Sequence, residues 1–167
     1  MGNPGREYAR NRHNAGYLVV DELARRHGGS WRSKFSGQVA EIEVGDERLV
    51  LVKPETYMND SGRSVGAAAA FFKIEPADVL VVHDEGDFDF GRIEVKRGGG
   101  LAGHNGLRSI AQHLKTRDFA RLRIGVGRPE RGDPRTLADY VLADFDSHDD
   151  ADALIARAAD AVEQLVL

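Results

Sequence analysis

The chain has 167 residues, 41% of them hydrophobic and 30% charged, with a formal net charge of −4. This balance suits one ordinary globular domain spanning residues 1–167 and excludes a disordered chain, a collagen-like repeat and a coiled coil. The absence of cysteine excludes a disulfide scaffold, thiol catalysis and cysteine-bound zinc and points to the reducing cytoplasm.

In chain order, Gly16–His27 spaces Val19, Val20, Leu23 and Ala24 on one helical face and stops at Gly28-Gly29, a helix ended by glycine. Gln38–Val44 alternates polar and apolar residues, Gly45-Asp46 follows, and Leu49–Val52 completes a predicted β-hairpin that Pro54 ends. Asp60–Lys73 is expected to be helical, with small residues from Gly66 to Ala70 that allow close approach to a sheet. Val79–Val82 is a short apolar run, expected as a buried strand, and Ile93–Lys96 as another. Leu107–Leu114 suggests a helix, Leu122–Val126 a strand, and Ala151–Leu165 a final amphipathic helix. No apolar run is long enough to cross a bilayer as a helix, and the first sixteen residues lack the apolar stretch of a secretory leader. Strands alternating with helices predict an α/β fold, with helices covering both faces of a mixed sheet.

Charge is segregated. Residues 1–34 carry +4, residues 35–91 carry −8, residues 92–135 carry +7 and residues 136–167 carry −7. Two readings stay open: solvated faces of no special role, or a phosphate-holding patch formed where the two basic blocks meet.

Four clusters hold polar residues at the edges of predicted strands and helices. They are Asn3-Pro4-Gly5 with Arg12-His13-Asn14, then Tyr57-Met58-Asn59, then His83-Asp84, then Gly103-His104-Asn105-Gly106. In open α/β sheets ligand sites lie beyond the strand ends. His13 is a candidate base near neutral pH, and Asp84 a candidate to orient its ring. Asn3, Asn59 and Asn105 can hold an ester or amide and support a developing oxyanion. Water attacking a carbonyl is the simplest chemistry for such a set. Asn14 and Asn105 can equally be helix caps. His27, His113 and His148 have the character of surface or helix-end residues, and Asp87 and Asp89 that of a solvated turn. A metal set of His13, His83, Asp84 and His104 can be drawn, but no metal-ligand spacing supports it. The glycine-rich run from Gly98 to Gly106 lacks the Walker and dinucleotide contexts, and suits a flexible flap over a cleft.

These motifs together resemble the bacterial peptidyl-tRNA hydrolase family. The resemblance rests on Gly2-Asn3-Pro4-Gly5 with Arg12-His13-Asn14-Ala15-Gly16, and on Lys53-Pro54-Glu55-Thr56-Tyr57-Met58-Asn59 with Ser61-Gly62. It continues in His83-Asp84-Glu85, in Gly98-Gly99-Gly100 with Gly103-His104-Asn105-Gly106-Leu107, and in Phe119 with Arg121–Pro129. The order agrees over roughly residues 2–145. The resemblance implies a single-domain, three-layer α/β/α sandwich around a twisted, mixed, mostly parallel sheet. It implies a monomeric, cofactor-free and metal-free enzyme that cleaves the ester between peptide and tRNA. By that analogy His13 is the general base and Asp84 its orienter. Asn3, Asn59 and Asn105 position peptide, terminal adenosine and water, while Tyr8, Tyr57, Met58 and His104 line the same cleft. Lys96 and Arg123 match positions that hold phosphates of the acceptor stem.

Several positions depart from the family pattern. Only Met1-Gly2 precede Asn3, where an apolar strand is usual, and the chain ends at Leu167 without the usual extension. Asn11 stands for a threonine, Gly86, Phe88 and Phe90 alter the turn after Asp84, and Ala102 replaces a glycine. The alternative reading is a catalytically impaired RNA-binding member of the same fold, and a further one is a metal-assisted hydrolase.

Overall fold

The computed structural model describes residues 1–101, 103–146 and 149–167. Ala102 and His148, read above as a departure and a surface residue, lie outside the described residues. Helix α1 spans Ala15–His27 and ends as its sequence demands: Gly28 takes φ +68° and its N–H closes on the Ala24 carbonyl. Strands β1 (Arg32–Lys34), β2 (Gly37–Val44) and β3 (Glu47–Pro54) form an antiparallel meander, with the β2–β3 hairpin turning at Gly45. Helix α2 (Ser61–Phe72), strand β4 (Leu80–Glu85), strand β5 (Ile93–Arg97), helix α3 (Asn105–Leu114) and strand β6 (Ala120–Gly125) follow. A short α4 (Leu137–Val141) and the long α5 (Ala151–Val166) close the chain.

The α/β class holds, but the strand pairing departs from a mostly parallel sheet. Two three-stranded sheets form, ordered β1-β2-β3 and β4-β6-β5. Among the described strand pairs only β4 and β6 run parallel. The hairpin and the short β1–β2 link allow nothing but antiparallel neighbours, whereas β4 reaches β6 through a long crossover that contains β5 and α3. An apolar cleft of about 510 Å³ separates β3 from β4 and is lined by Leu49, Leu51, Ala68, Val79 and Val81.

The layers follow from the period of two along β4. Val82 faces a core shared with Val19 and Leu23 of α1, with Leu122 and Ile124 of β6, and with Leu154 and Ala158 of α5. Val81 points the other way, into a cluster with Leu107 and Ile110 of α3 and Phe119, against which Val65 of α2 packs. Thus α1 and α5 cover one face, and α2 and α3 the other.

The small residues of α2 serve a helix–helix contact. Gly62 donates its N–H to Ser109 Oγ at 2.9 Å, and a Cβ at Gly62 would collide with the Ser109 carbonyl on α3. Gly62→Ala is therefore expected to lower stability by about 1–3 kcal/mol, read as a fall in melting temperature, because the obstacle is backbone and cannot swing aside.

The first basic block pairs in part with the acidic C-terminal block, and Arg12 of the first and Arg135 of the second basic block both lie over the Tyr140 ring. Arg10 meets Asp152, Arg12 meets Asp146, and Arg26 meets Asp160 and Glu163.

Candidate active site

Strand β4 is longer than its apolar run: His83, Asp84 and Glu85 extend the ladder beside β6 and are buried. Alternation puts Asp84 on the face covered by α1, where the turn Arg12–Asn14 leads into that helix. Nδ1 of His13 stands 2.9 Å from both Oδ1 and Oδ2 of Asp84. Nδ1 carries the proton donated to this carboxylate, which leaves the Nε2 lone pair as a proton acceptor. Burial lowers the pKa of His13, but the hydrogen bond and charge of Asp84 together outweigh it and raise the pKa above its ordinary value. Burial pushes Asp84 up, yet the His13 hydrogen bond and the neighbouring imidazoles hold it below the ordinary carboxylate value. The pair at neutral pH is a fixed carboxylate and an imidazole that can take up a proton.

Two further imidazoles lie close by. The His104 ring centroid is 5.9 Å from that of His13 and 5.2 Å from that of His83. His104, not Asn105, caps α3: its Nδ1 accepts from the Leu107 N–H at 3.2 Å. His83 donates Nδ1–H to the Asp84 carbonyl at 2.8 Å. Burial first, with neighbouring groups, brings both His83 and His104 down to about 4. Both are neutral when His13 titrates. Among the described residues no group of three or more His, Asp or Glu side chains has the geometry of a metal site, so the set drawn from His13, His83, Asp84 and His104 is not assembled as ligands.

The carboxamides are placed unequally. The backbone of Asn3 is clamped by Asn14, whose Oδ1 accepts from Asn3 N–H at 2.6 Å and whose Nδ2 donates to Asn3 O at 2.9 Å. Asn14 stands at the start of α1 but its side chain makes no cap; it ties Asn3 to the turn that carries His13 instead. Met58 Sδ and His104 Cε1 would lie 2.8 and 3.1 Å from a Cβ at Gly106, so the Met58–Asp60 turn and the start of α3 converge there. Asn59 and Asn105 flank that junction and are exposed, and Asn105 Oδ1 accepts from Arg108. The Tyr57 ring is 86% exposed, free to present a face to a ligand. Tyr8 is half-buried at the end of the turn Arg6–Tyr8.

Lys96 and Arg123 share one face of the β5–β6 pair, in a register that sets Lys96 opposite Arg121 and Glu94 opposite Arg123. Arg123 is held by Glu85 and Glu94, each at 3.1 Å, and lies 4.4 Å over the Phe88 ring. No acidic partner lies within ion-pair distance of Lys96 among the described residues. Lys96 is the freer cation of the two.

A sequence model of the family described as peptidyl-tRNA hydrolase matches residues 1–167. The chain belongs to the peptidyl-tRNA hydrolase family. A peptidyl-tRNA hydrolase of Bradyrhizobium diazoefficiens is 56% identical over 146 residues, covering 87% of this chain and 71% of the relative. That of Listeria welshimeri is 46% identical over 166 residues, covering 98% and 89%. The crystal structure of peptidyl-tRNA hydrolase from Acinetobacter baumannii superposes with a TM-score of 0.84 at 39% identity, covering 98% of this chain and 82% of that one.

Three residues of this peptidyl-tRNA hydrolase family member, named from the sequence only as members of a motif or of a metal set, carry site geometry. Arg121 is buried and donates to the carbonyls of Gly98 and Gly100 at 3.4 and 2.8 Å. With Leu101 buried in the core, this pins the glycine-rich run at its start, where a flexible flap is the sequence expectation. His83 forms the floor under His104. Arg12 is wholly buried beside the base. A basic or imidazole residue inside an otherwise apolar strand, as at His83 and Arg121, is the signal that could have marked the first two.

Proposed function

We propose that His13 is the general base for attack by water on the ester joining a peptide to the 3′ end of tRNA. The reaction itself follows from family membership: the chain is an enzyme, and it hydrolyses peptidyl-tRNA. The observation that carries the assignment is the contact of His13 Nδ1 with both oxygens of buried Asp84 at 2.9 Å.

Nε2 of His13 takes a proton from water as its oxygen attacks the ester carbonyl. Carboxamide N–H groups among Asn3, Asn59 and Asn105 donate to the developing oxyanion and hold the peptide, the terminal adenosine and the water. The tetrahedral intermediate collapses, the ribose oxygen leaves, and the His13 imidazolium returns its proton to that oxygen. The products are a tRNA with a free hydroxyl and a peptide carboxylic acid, which loses its proton to solvent as a carboxylate. Asp84 stays ionised throughout and steadies the imidazolium. Tyr8, Tyr57, Met58 and His104 line the cleft around the CCA end. Lys96 receives an acceptor-stem phosphate. Arg123 does so in competition with Glu85 and Glu94, which favours Lys96 as the main contact. The enzyme works as a monomer, in the cytoplasm, without a metal or cofactor; no helix among the described residues is long and apolar enough to cross a membrane.

The test is release of peptide from N-blocked aminoacyl-tRNA, with free aminoacyl-tRNA spared and the rate unchanged after exhaustive chelation. Activity lost to chelator and restored by a divalent cation would replace this reading with metal-assisted hydrolysis. Binding of the tRNA by folded protein without ester cleavage would leave only an RNA-binding role.

A further inference from the structure

The turn that carries His13 is too short to hold an imidazole in register by its own hydrogen bonds. It is a single 3₁₀ turn, Arg12–Asn14, whose preceding residue Asn11 gives no side-chain cap. What holds it lies on either side. Asn14 clamps Asn3, as described above. On the other flank stands Arg12, 0% exposed and among the largest fully buried side chains of the molecule.

Among the described residues, the hydrogen-bond and ion-pair partners of the Arg12 guanidinium come from the far end of the chain. Nη1 donates to the carbonyls of Tyr140 and Ala143 at 3.0 and 3.4 Å. Nη2 stands 2.9 Å from Asp146 Oδ2 and 3.8 Å from Asp149 Oδ2. The guanidinium plane lies 3.8 Å over the Tyr140 ring. The backbone repeats the connection: Arg12 N–H donates to the Ala143 carbonyl at 3.0 Å, and Asn11 pairs with Asp144 as an isolated antiparallel bridge.

We infer that Arg12 is a positioning residue for His13, fastening the turn that bears the imidazole to the segment Tyr140–Asp146. A guanidinium buried this deeply tolerates few arrangements, because each lost partner leaves charge without compensation. That intolerance is what makes it a good anchor. The ring must sit where one nitrogen meets both Asp84 oxygens, and a shift of about 1 Å in such a constellation costs on the order of 100-fold in rate. The anchor therefore acts on the chemical step and not on tRNA capture, whose proposed phosphate contacts lie on β5 and β6. The inference rests on the reading of His13 as the base.

The experiment compares Arg12→Met, Arg12→Lys and Asp146→Asn, each corrected for its folded fraction. Turnover is measured alongside the NMR signal of the His13 Nδ1–H proton, which reports the Asp84 contact without reference to activity. Arg12→Met is expected to lower kcat about 10- to 100-fold with KM within twofold, and to broaden or lose the Nδ1–H signal. Arg12→Lys, which keeps a charge but not the fork of donors, should recover part of kcat and part of the signal. Asp146→Asn leaves the Tyr140 and Ala143 contacts and should show the same split, about 3- to 10-fold in kcat; it carries the test where Arg12→Met does not fold. Folded Arg12→Met or Asp146→Asn with wild-type kcat and an intact Nδ1–H signal overturns the inference, as does a loss that appears in KM alone. Failure of the base assignment is separable: His13→Ala would then keep its turnover, while the Nδ1–H signal would still report whether Arg12 sets the ring.

Discussion

His13→Ala is expected to abolish measurable hydrolysis while tRNA binding stays within a few-fold of the native protein. A positioned general base contributes about 10²- to 10⁴-fold, and the neighbouring imidazoles are not placed to replace it. His104 and His83 are the nearest imidazoles, but His104 Nδ1 is committed to capping α3 and His83 Nδ1 to the Asp84 carbonyl. Both rings, brought down to about 4, are far weaker bases than His13. Binding should persist because the proposed phosphate contacts belong to β5 and β6, whereas the His13 side chain hydrogen-bonds to Asp84. Single-turnover cleavage of N-blocked aminoacyl-tRNA, beside a direct binding titration, separates the two effects. Turnover within tenfold of native would remove His13 as the base.

The second large effect is expected from Asp84→Asn. The carboxylate fixes the proton on Nδ1 and compensates the charge that His13 acquires. A carboxamide can do neither reliably, because its own N–H can face Nδ1 and drive the imidazole proton onto Nε2. The expected loss in kcat is about 10²- to 10⁴-fold. The pH profile supplies the sign. In the native site Asp84 raises the His13 pKa above its ordinary value against the effect of burial. Activity needs neutral His13, so it rises with pH through that raised value. With Asp84 gone, burial and the charge of the N-terminus remain and both lower the pKa, so the acid limb of the Asp84→Asn profile moves to lower pH while its plateau falls. An unchanged limb at an unchanged plateau would show that Asp84 does not act on His13.

The same pair links pH to stability. His13, raised in the folded state, stabilises the fold fully below its unfolded pKa, and that contribution is lost as pH rises through the folded value. Asp84, lowered in the folded state, contributes above its unfolded pKa and loses the contribution as pH falls through the folded one. The ion pair is therefore strongest under mildly acidic conditions, where the base is protonated and idle. The range in which the enzyme works is one in which this contact no longer gives its full stabilisation.

Local chemistry made much of the fold legible. Gly28 ends α1, Gly45 turns the β2–β3 hairpin and Pro54 closes β3 where the sequence places them. Strand β4 runs past its apolar residues because each of its last three polar side chains finds a partner, His83 the Asp84 carbonyl, Asp84 the His13 ring and Glu85 the Arg123 guanidinium, which a hydrophobicity pattern cannot reveal. Strand β1, Arg-Ser-Lys with no alternation, exists only because β2 pairs with it. The His13–Asp84 pairing was readable from residue type and motif order. The partners of Arg12 and Arg123 were not. Those ion pairs depend on which strands and loops become neighbours, and Arg12 meets Tyr140 across 128 positions of sequence. For the same reason the block charges did not foretell their partial pairing.

Strand β4 gives alternate side chains to both apolar clusters and ends in the carboxylate that orients the base. Heat or denaturant that loosens either cluster reaches Asp84 through one continuous backbone. The two helical layers are consequently expected to melt as a single cooperative unit, with activity lost in the same transition.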